Sequence, residues 1–212
     1  MTLPNLIKQF IPRRFGGPKA NIYNNFANKR KVRTFCTAVQ SAHPSKLLEI
    51  GVFNGGGAKL MIQAAKDCGV KDIIYYGFDT FDGPPVREPN ATKEIGHMEA
   101  VKQLLDSLNV KYKLFKGDTT ETFPKAVPKL PKMDFIYIDG GHSYDTVKSD
   151  WENAEKLLHS KTIVVFDDYD QDGVAKVVNT LKERYSVKIV PIGIKSPRFI
   201  IKKRAVVRQN LN

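Results

Sequence analysis

From Lys46 onward, short runs of β-branched and aromatic residues alternate with longer stretches in which apolar positions recur every three or four residues. The compact runs predict strands and the spaced pattern predicts helices, so their alternation predicts a parallel sheet covered on both faces. Strands are expected at Lys46–Gly51, Ile73–Asp79, Lys111–Gly117, Met133–Asp139, Thr162–Asp167, Val187–Ile192 and Arg198–Lys203. Helices are expected between the first six, near 56–68, 97–108, 119–127, 144–159 and 172–184. Only Gly193 to Pro197 separate the last two strands, too few residues for a parallel crossover of about a dozen, so these two form an antiparallel hairpin. Ahead of the sheet, residues 19–42 place Ile22, Phe26, Val32, Phe35 and Val39 on one side of a helix that His43-Pro44 stops; it is expected to be a cap or lid.

Composition narrows the class. The 212 residues, 42% apolar and without repeats, suffice for one sizeable core. The expected division is a basic extension with the cap helix over 1–45, one domain over 46–205 and a basic tail over 206–212. No apolar run approaches the about 20 residues of a membrane span, and Pro4, Lys8, Pro12, Arg13 and Arg14 interrupt the stretch a signal peptide needs. Cys36 and Cys68, among mostly apolar neighbours, make neither a disulfide framework nor a zinc cluster, which fits a reducing, cytoplasmic setting. The net charge of +12 resides at the ends: residues 1–45 carry eight Lys/Arg and 194–212 six, both without Asp or Glu, leaving 20 basic against 22 acidic residues between them. Basic ends suit nucleic acid, an anionic membrane or an acidic acceptor, and equally suit solvated termini.

In open α/β sheets, ligands bind beyond the carboxyl ends of the strands. The first strand runs into Glu49-Ile50-Gly51-Val52-Phe53-Asn54-Gly55-Gly56-Gly57, a turn that permits positive φ and close backbone approach. A dinucleotide fingerprint starting at Gly51 needs glycine where Phe53 stands, and a P-loop needs Lys and then Ser/Thr where Gly57 and Ala58 stand. Both phosphate readings fail. The second strand ends in Gly77-Phe78-Asp79-Thr80-Phe81-Asp82-Gly83, where Asp79 is the functional candidate and Asp82, before Gly83-Pro84-Pro85, reads as turn chemistry. Asp118 follows the third strand and either binds a ligand or caps the helix opened by Thr119, Thr120 and Glu121. After strands four and five come Tyr137-Ile138-Asp139-Gly140-Gly141-His142-Ser143-Tyr144-Asp145 and Val165-Phe166-Asp167-Asp168-Tyr169-Asp170. Neighbouring parallel strands lie about 4.8 Å apart, so Asp139, Asp167 and Asp168 could share one hard cation such as Mg²⁺; the alternative is that they cap strand ends and form turns.

The E-x-G-x-x-x-G-G turn resembles motif I of the class I S-adenosylmethionine-dependent methyltransferases. The Asp139 and Asp167-Asp168 arrangement resembles the metal-dependent O-methyltransferases, notably the macrocin and mycinamicin sugar O-methyltransferase group and more distantly catechol O-methyltransferase. The similarity covers about residues 46–203. It implies a Rossmann-like α/β fold: a seven-stranded, mostly parallel sheet with a C-terminal antiparallel hairpin and an N-terminal helical cap. It also implies S-adenosylmethionine as cofactor, with contacts from Glu49, Gly51, Asn54, Gly55, Asp79, Thr80, Asp118 and Asp139. Within that set, Asp79 would take the ribose hydroxyls and Asp118 the adenine amine. Mg²⁺ would be held by Asp139, Asp167 and Asp168.

His142, three positions after the first metal ligand, corresponds to the general base, histidine in the sugar enzymes and lysine in the catechol enzyme. The implied acceptor is a hydroxyl of a sugar or phenol, bound to Mg²⁺, deprotonated by His142 and methylated in line. An imidazole with its ordinary pKa of about 6.5 suits that task at neutral pH. Many relatives carry His-Asp in place of Asp167-Asp168, and the segments before motif I and over 84–97 match no substrate. His43, His97 and His159 are expected at the surface or in packing, and Trp151 against the sheet. Two other classes fit the pattern: a nucleic-acid methyltransferase using the basic ends, against which no Asn/Asp-Pro-Pro-Tyr motif occurs, and a non-catalytic cofactor-binding fold. Oligomeric state is not encoded in any of these features.

Overall fold

The computed structural model describes residues 29–83, 97–195 and 200–210. Seven strands form one sheet in the order β3-β2-β1-β4-β5-β7-β6. They are β1 (Lys46–Ile50), β2 (Ile74–Asp79), β3 (Lys111–Lys116), β4 (Phe135–Ile138), β5 (Ile163–Phe166), β6 (Tyr185–Lys195) and β7 (Ile200–Gln209). The first five run parallel, and β7 pairs antiparallel with both β5 and β6. This is the architecture the sequence pattern predicts.

Burial explains why the strands read as they do. All four residues of β4 and of β5 are buried, because helices cover both faces of central parallel strands. Edge strand β3 alternates in exposure, with Lys111, Lys113 and Lys116 turned outward. One half of the core gathers α4 (Thr119–Ala126), α5 (Tyr144–Glu155) and α6 (Asp172–Thr180) through Phe123, Val147, Trp151 and Val178. The other half gathers α1 (Lys29–Ala42), α2 (Gly56–Asp67) and α3 (Met98–Ser107) through Phe35, Val39, Met61, Ile62 and Leu105. Trp151 packs on Phe166 and Tyr185, as its place on a sheet-covering helix demands.

Helix α1, expected as a cap or lid, packs closely on the sheet: Val32, Phe35 and Val39 are buried, Phe35 lies edge-on to Phe135, and the helix packs against α2 and the strands β5 and β6. Ile22 and Phe26 lie outside the described residues. The segment expected to be a basic tail from 206 is instead the second half of β7, which runs to Gln209; Val207 faces the core opposite Val164, and alternation around it keeps the strand in the sheet. Strand β6 starts at Tyr185 and carries Pro191 just before a register shift between Pro191 and Gly193; as the edge strand of the sheet it tolerates a residue without an N–H donor.

Candidate active site

Strand order reverses between β1 and β4, each of which is followed by a helix on a different face, so the carboxyl ends of these two strands open the cleft expected of such sheets. Gly51 leaves β1 with φ +86°, and a Cβ there would sit 2.1 Å from the Asp139 carbonyl oxygen. Only glycine allows the β1 turn to press so closely on the end of β4. Gly55 caps α2 at φ +77°, and Asn54 before it is exposed. The turn therefore delivers bare backbone and the start of a helix to the strand tips.

Asp79 holds this turn to the end of β2. Its Oδ2 accepts the Phe53 N–H at 2.8 Å and its Oδ1 accepts the Phe81 N–H at 2.7 Å. Both phenylalanines have left-handed backbone, φ 51° and 54°, an uncommon conformation for bulky side chains that the paired hydrogen bonds offset. Thr80 donates to the Gly83 carbonyl at 2.7 Å and so shapes the loop after β2. Asp82 is exposed and paired with Lys116 at 2.8 Å, in keeping with its turn reading. Asp118 sits beside Asp79 through the bond from Gly117 N–H to the Asp79 carbonyl; its Oδ1 caps α4 by accepting the Thr120 N–H at 2.9 Å.

Glu49 does not reach the strand tips. Its carboxyl is 1% exposed and lies under the glycine turn, where it accepts from the Tyr75 hydroxyl and the Ala58 N–H. A Cβ on Gly57 would meet Glu49 Oε1 at 2.0 Å, so Gly57 makes room for this carboxyl rather than for a ligand. Burial, opposed by the Tyr75 hydrogen bond and reinforced by the nearby Asp139 and Asp79 charges, pushes Glu49 well above the usual carboxylate range.

The acidic cluster splits into two groups. Asp139 Oδ2 and Asp167 Oδ2 lie 2.9 Å and 2.6 Å from the Tyr137 hydroxyl, which has one proton and can donate to only one of them at a time. Arg204, from β7, closes on Asp167 with both arms of its fork: Nε to Oδ1 at 2.9 Å and an Nη to Oδ2 at 2.8 Å. The same Nη reaches the Tyr137 hydroxyl at 3.0 Å. The guanidinium lies 4.8 Å from the Phe35 ring centroid and 5.5 Å from that of Tyr137. Burial opposes its charge, but Tyr137, Asp167 and Asp139 outweigh burial and keep Arg204 protonated.

Asp168 turns the other way. Its backbone is left-handed, φ 45°, and its Oδ2 lies 3.4 Å from His142 Nε2, ion-pair range but long for a hydrogen bond. The His142 loop is fixed from below by Gly173, whose Cβ would fall 2.1 Å from the His142 carbonyl oxygen. One ligand atom each from Asp139, His142 and Asp168 lie within 4.8 Å of one another.

Of the three carboxylates expected to hold Mg²⁺, Asp139 and Asp168 gather with His142, whereas Asp167 faces Arg204. Asp167 is 1% exposed at its side chain and spends both oxygens on Arg204, which sits among the same carboxylates as a fixed positive charge. Arg204 is the residue that sequence reading missed: it was counted among the basic residues of the C-terminal end. Its only signal is the register that places Ala205 opposite Phe166, one step from Asp167.

Residues 48–169 match the family described as a methyltransferase domain. The chain belongs to that family. The methyltransferase domain takes in the glycine turn, Asp79, Asp139, His142 and Asp168, but stops short of Arg204. The chain is 33% identical over 124 residues to an uncharacterized protein, R132, of Acanthamoeba polyphaga mimivirus, matching 58% of this chain and 50% of that one. It thus spans half the length of that relative. Among solved structures, an O-methyltransferase from Bacillus cereus in complex with SAH superposes with a TM-score of 0.63 at 14% identity, over 96% of this chain and 86% of that one. CalS11, a TDP-rhamnose 3'-O-methyltransferase, superposes with a TM-score of 0.61 at 18% identity, over 96% and 90%. The fold of this domain is that of the class I methyltransferases.

Proposed function

We infer that this methyltransferase-domain protein moves a methyl group from S-adenosylmethionine to a hydroxyl of a small molecule, a sugar or a phenol, with His142 as general base. The observation that carries the reading is that the glycine turn, Asp79, Asp139 and the His142–Asp168 pair all stand at the carboxyl ends of successive parallel strands. A second support is the SAH bound by the Bacillus cereus fold relative, and a third, for a sugar acceptor, is the activity in the name of CalS11. The chain's own residues fit the cofactor: Gly51 and Gly55 let the β1 turn adopt left-handed backbone close to the end of β4 and to Leu104, and Asp79 is only part-buried although two N–H groups already hold its carboxylate in place.

When bound, S-adenosylmethionine supplies an electrophilic methyl group on a sulfonium. Asp79 would take the ribose hydroxyls, Asp118 would lie beside the base, and the turn from Gly51 to Gly55 would bear the methionine part. Asp139 and Asp168 keep the strand tips negative, which favours a cationic cofactor. His142 takes the acceptor's hydroxyl proton onto its ring, and Asp168, 3.4 Å away, steadies the resulting imidazolium. Positioning and charge supply the acceleration, so no nucleophilic side chain is required.

The test is methyl transfer from labelled S-adenosylmethionine to a panel of sugars, phenols and amines. Wild type should label at least one hydroxyl acceptor. His142→Ala should lose about 100-fold or more in turnover while keeping SAH affinity. Equal turnover by His142→Ala would remove the base assignment, and label appearing only on nitrogen acceptors would remove the hydroxyl chemistry.

A further inference from the structure

Arg204 stands where a metal-dependent enzyme would need Asp167. Mg²⁺ needs oxygen ligands at about 2.0–2.1 Å in near-octahedral array, with carboxylates free to turn toward it. Asp167 cannot turn: its two oxygens are 2.9 Å and 2.8 Å from the forked nitrogens of Arg204, and both residues are almost wholly buried. The guanidinium is also locked in depth, between the rings of Phe35 and Tyr137 and against the Tyr137 hydroxyl. Tyr137 in turn touches Asp139, so one hydroxyl links the guanidinium to the carboxylate at the end of β4 as well. A divalent ion among the same carboxylates would face a fixed, buried like charge.

We propose that Arg204 is the resident cation of this site, and that the protein binds its cofactor and transfers the methyl group without a divalent metal. The inference rests on the methyltransferase reading for its second half only, since the displacement of the ion by the guanidinium is a property of the carboxylates. Charge balance follows: the guanidinium offsets Asp167, and Asp139 and Asp168 are left to face the cationic cofactor and His142. The hydroxyl proton goes to His142, and the acceptor oxygen needs no Lewis acid if it meets the imidazole directly.

Mn²⁺ titration of the full chain followed by electron paramagnetic resonance, with melting curves in Mg²⁺ or in EDTA, tests it. Wild type should bind Mn²⁺ no tighter than about millimolar, melt at the same temperature in Mg²⁺ and in EDTA, and bind SAH equally in both. Arg204→Met frees Asp167, and a folded variant should bind Mn²⁺ at least about tenfold tighter than wild type and melt higher in Mg²⁺ than in EDTA; Asp167→Asn added to it should erase both gains. Tight Mn²⁺ binding by wild type that is lost in Asp139→Asn or His142→Ala would overturn the proposal. So would a folded Arg204→Met with no gain in ion affinity. Should Arg204→Met fail to fold, the wild-type titration decides alone. Failure of wild type to bind SAH in either buffer would count against the methyltransferase reading and leave the metal result standing.

Discussion

At the scale of single residues, the site is built from close approaches that tolerate almost no added atom. Gly51→Ala would push a Cβ to 2.1 Å from the Asp139 carbonyl at a φ that alanine avoids, so the turn or the end of β4 must move. The expected cost is about 3 kcal/mol, read as a lower urea midpoint, together with loss of SAH binding. Gly56 meets nothing within 4 Å, and Gly56→Ala should leave stability nearly unchanged, which makes it the matched control. Some of this was legible beforehand: the glycine turn was read from the close backbone approach it permits, and Asp79 from its place at a strand end. The burial of Glu49 on Tyr75 was not legible, because a carboxyl in a glycine turn looks the same in sequence whether it faces outward or inward.

Between elements, the deciding contacts are those that sequence periodicity cannot assign. Helix α1 announces an apolar face through Val32, Phe35 and Val39, but nothing local says whether such a face covers a cleft or a sheet. Phe35 answers it, with its ring 5.9 Å from that of Phe135 and 4.5 Å from that of Tyr137, directly beneath Arg204. Phe35→Ala should cost about 3–5 kcal/mol by equilibrium unfolding and should also weaken the Arg204–Asp167 pair. An unfolding midpoint unchanged by the substitution would return α1 to the role of a lid.

The amino ends of the strands are tied by a second carboxylate, Asp134. It accepts the N–H groups of Ser45 and Lys46 at 2.8 Å each and the His159 ring at 2.9 Å. Burial opposes its ionisation, but the hydrogen bonds from Lys46, His159 and Ser45 prevail and hold it below its ordinary value. A depressed carboxyl contributes stability above its unfolded pKa and loses that contribution as pH falls through its folded value, so the loss should fall below about pH 4. Asp134→Asn should be less stable at pH 7 and show a shallower decline in acid; parallel wild-type and variant curves would disprove the link.

Over the whole molecule, the order of elements was legible and the ends were not. Alternation of buried strands and amphipathic helices, and the five-residue gap at Gly193 to Pro197, were enough to predict five parallel strands and a closing hairpin. The ends misled because basic residues were read as solvated. In β7, Ala205 and Val207 enter one half of the core and Arg204, on the opposite face, lies buried on Phe35, while Arg208 on that same face stays part-exposed. That one strand explains both the misplaced tail and the missed cation, since a lysine- and arginine-rich run gives no local sign of which side chain turns inward. Among the described residues no helix is long and apolar enough to cross a membrane.

The account depends on the strand tips forming one cofactor site, and calorimetric titration with S-adenosylhomocysteine measures that directly. Wild type should bind one equivalent per chain with or without EDTA, and Asp79→Ala, confirmed folded by circular dichroism, should lose binding at least about tenfold, or 1.4 kcal/mol. Binding that is absent from wild type, or unchanged in Asp79→Ala, would contradict it.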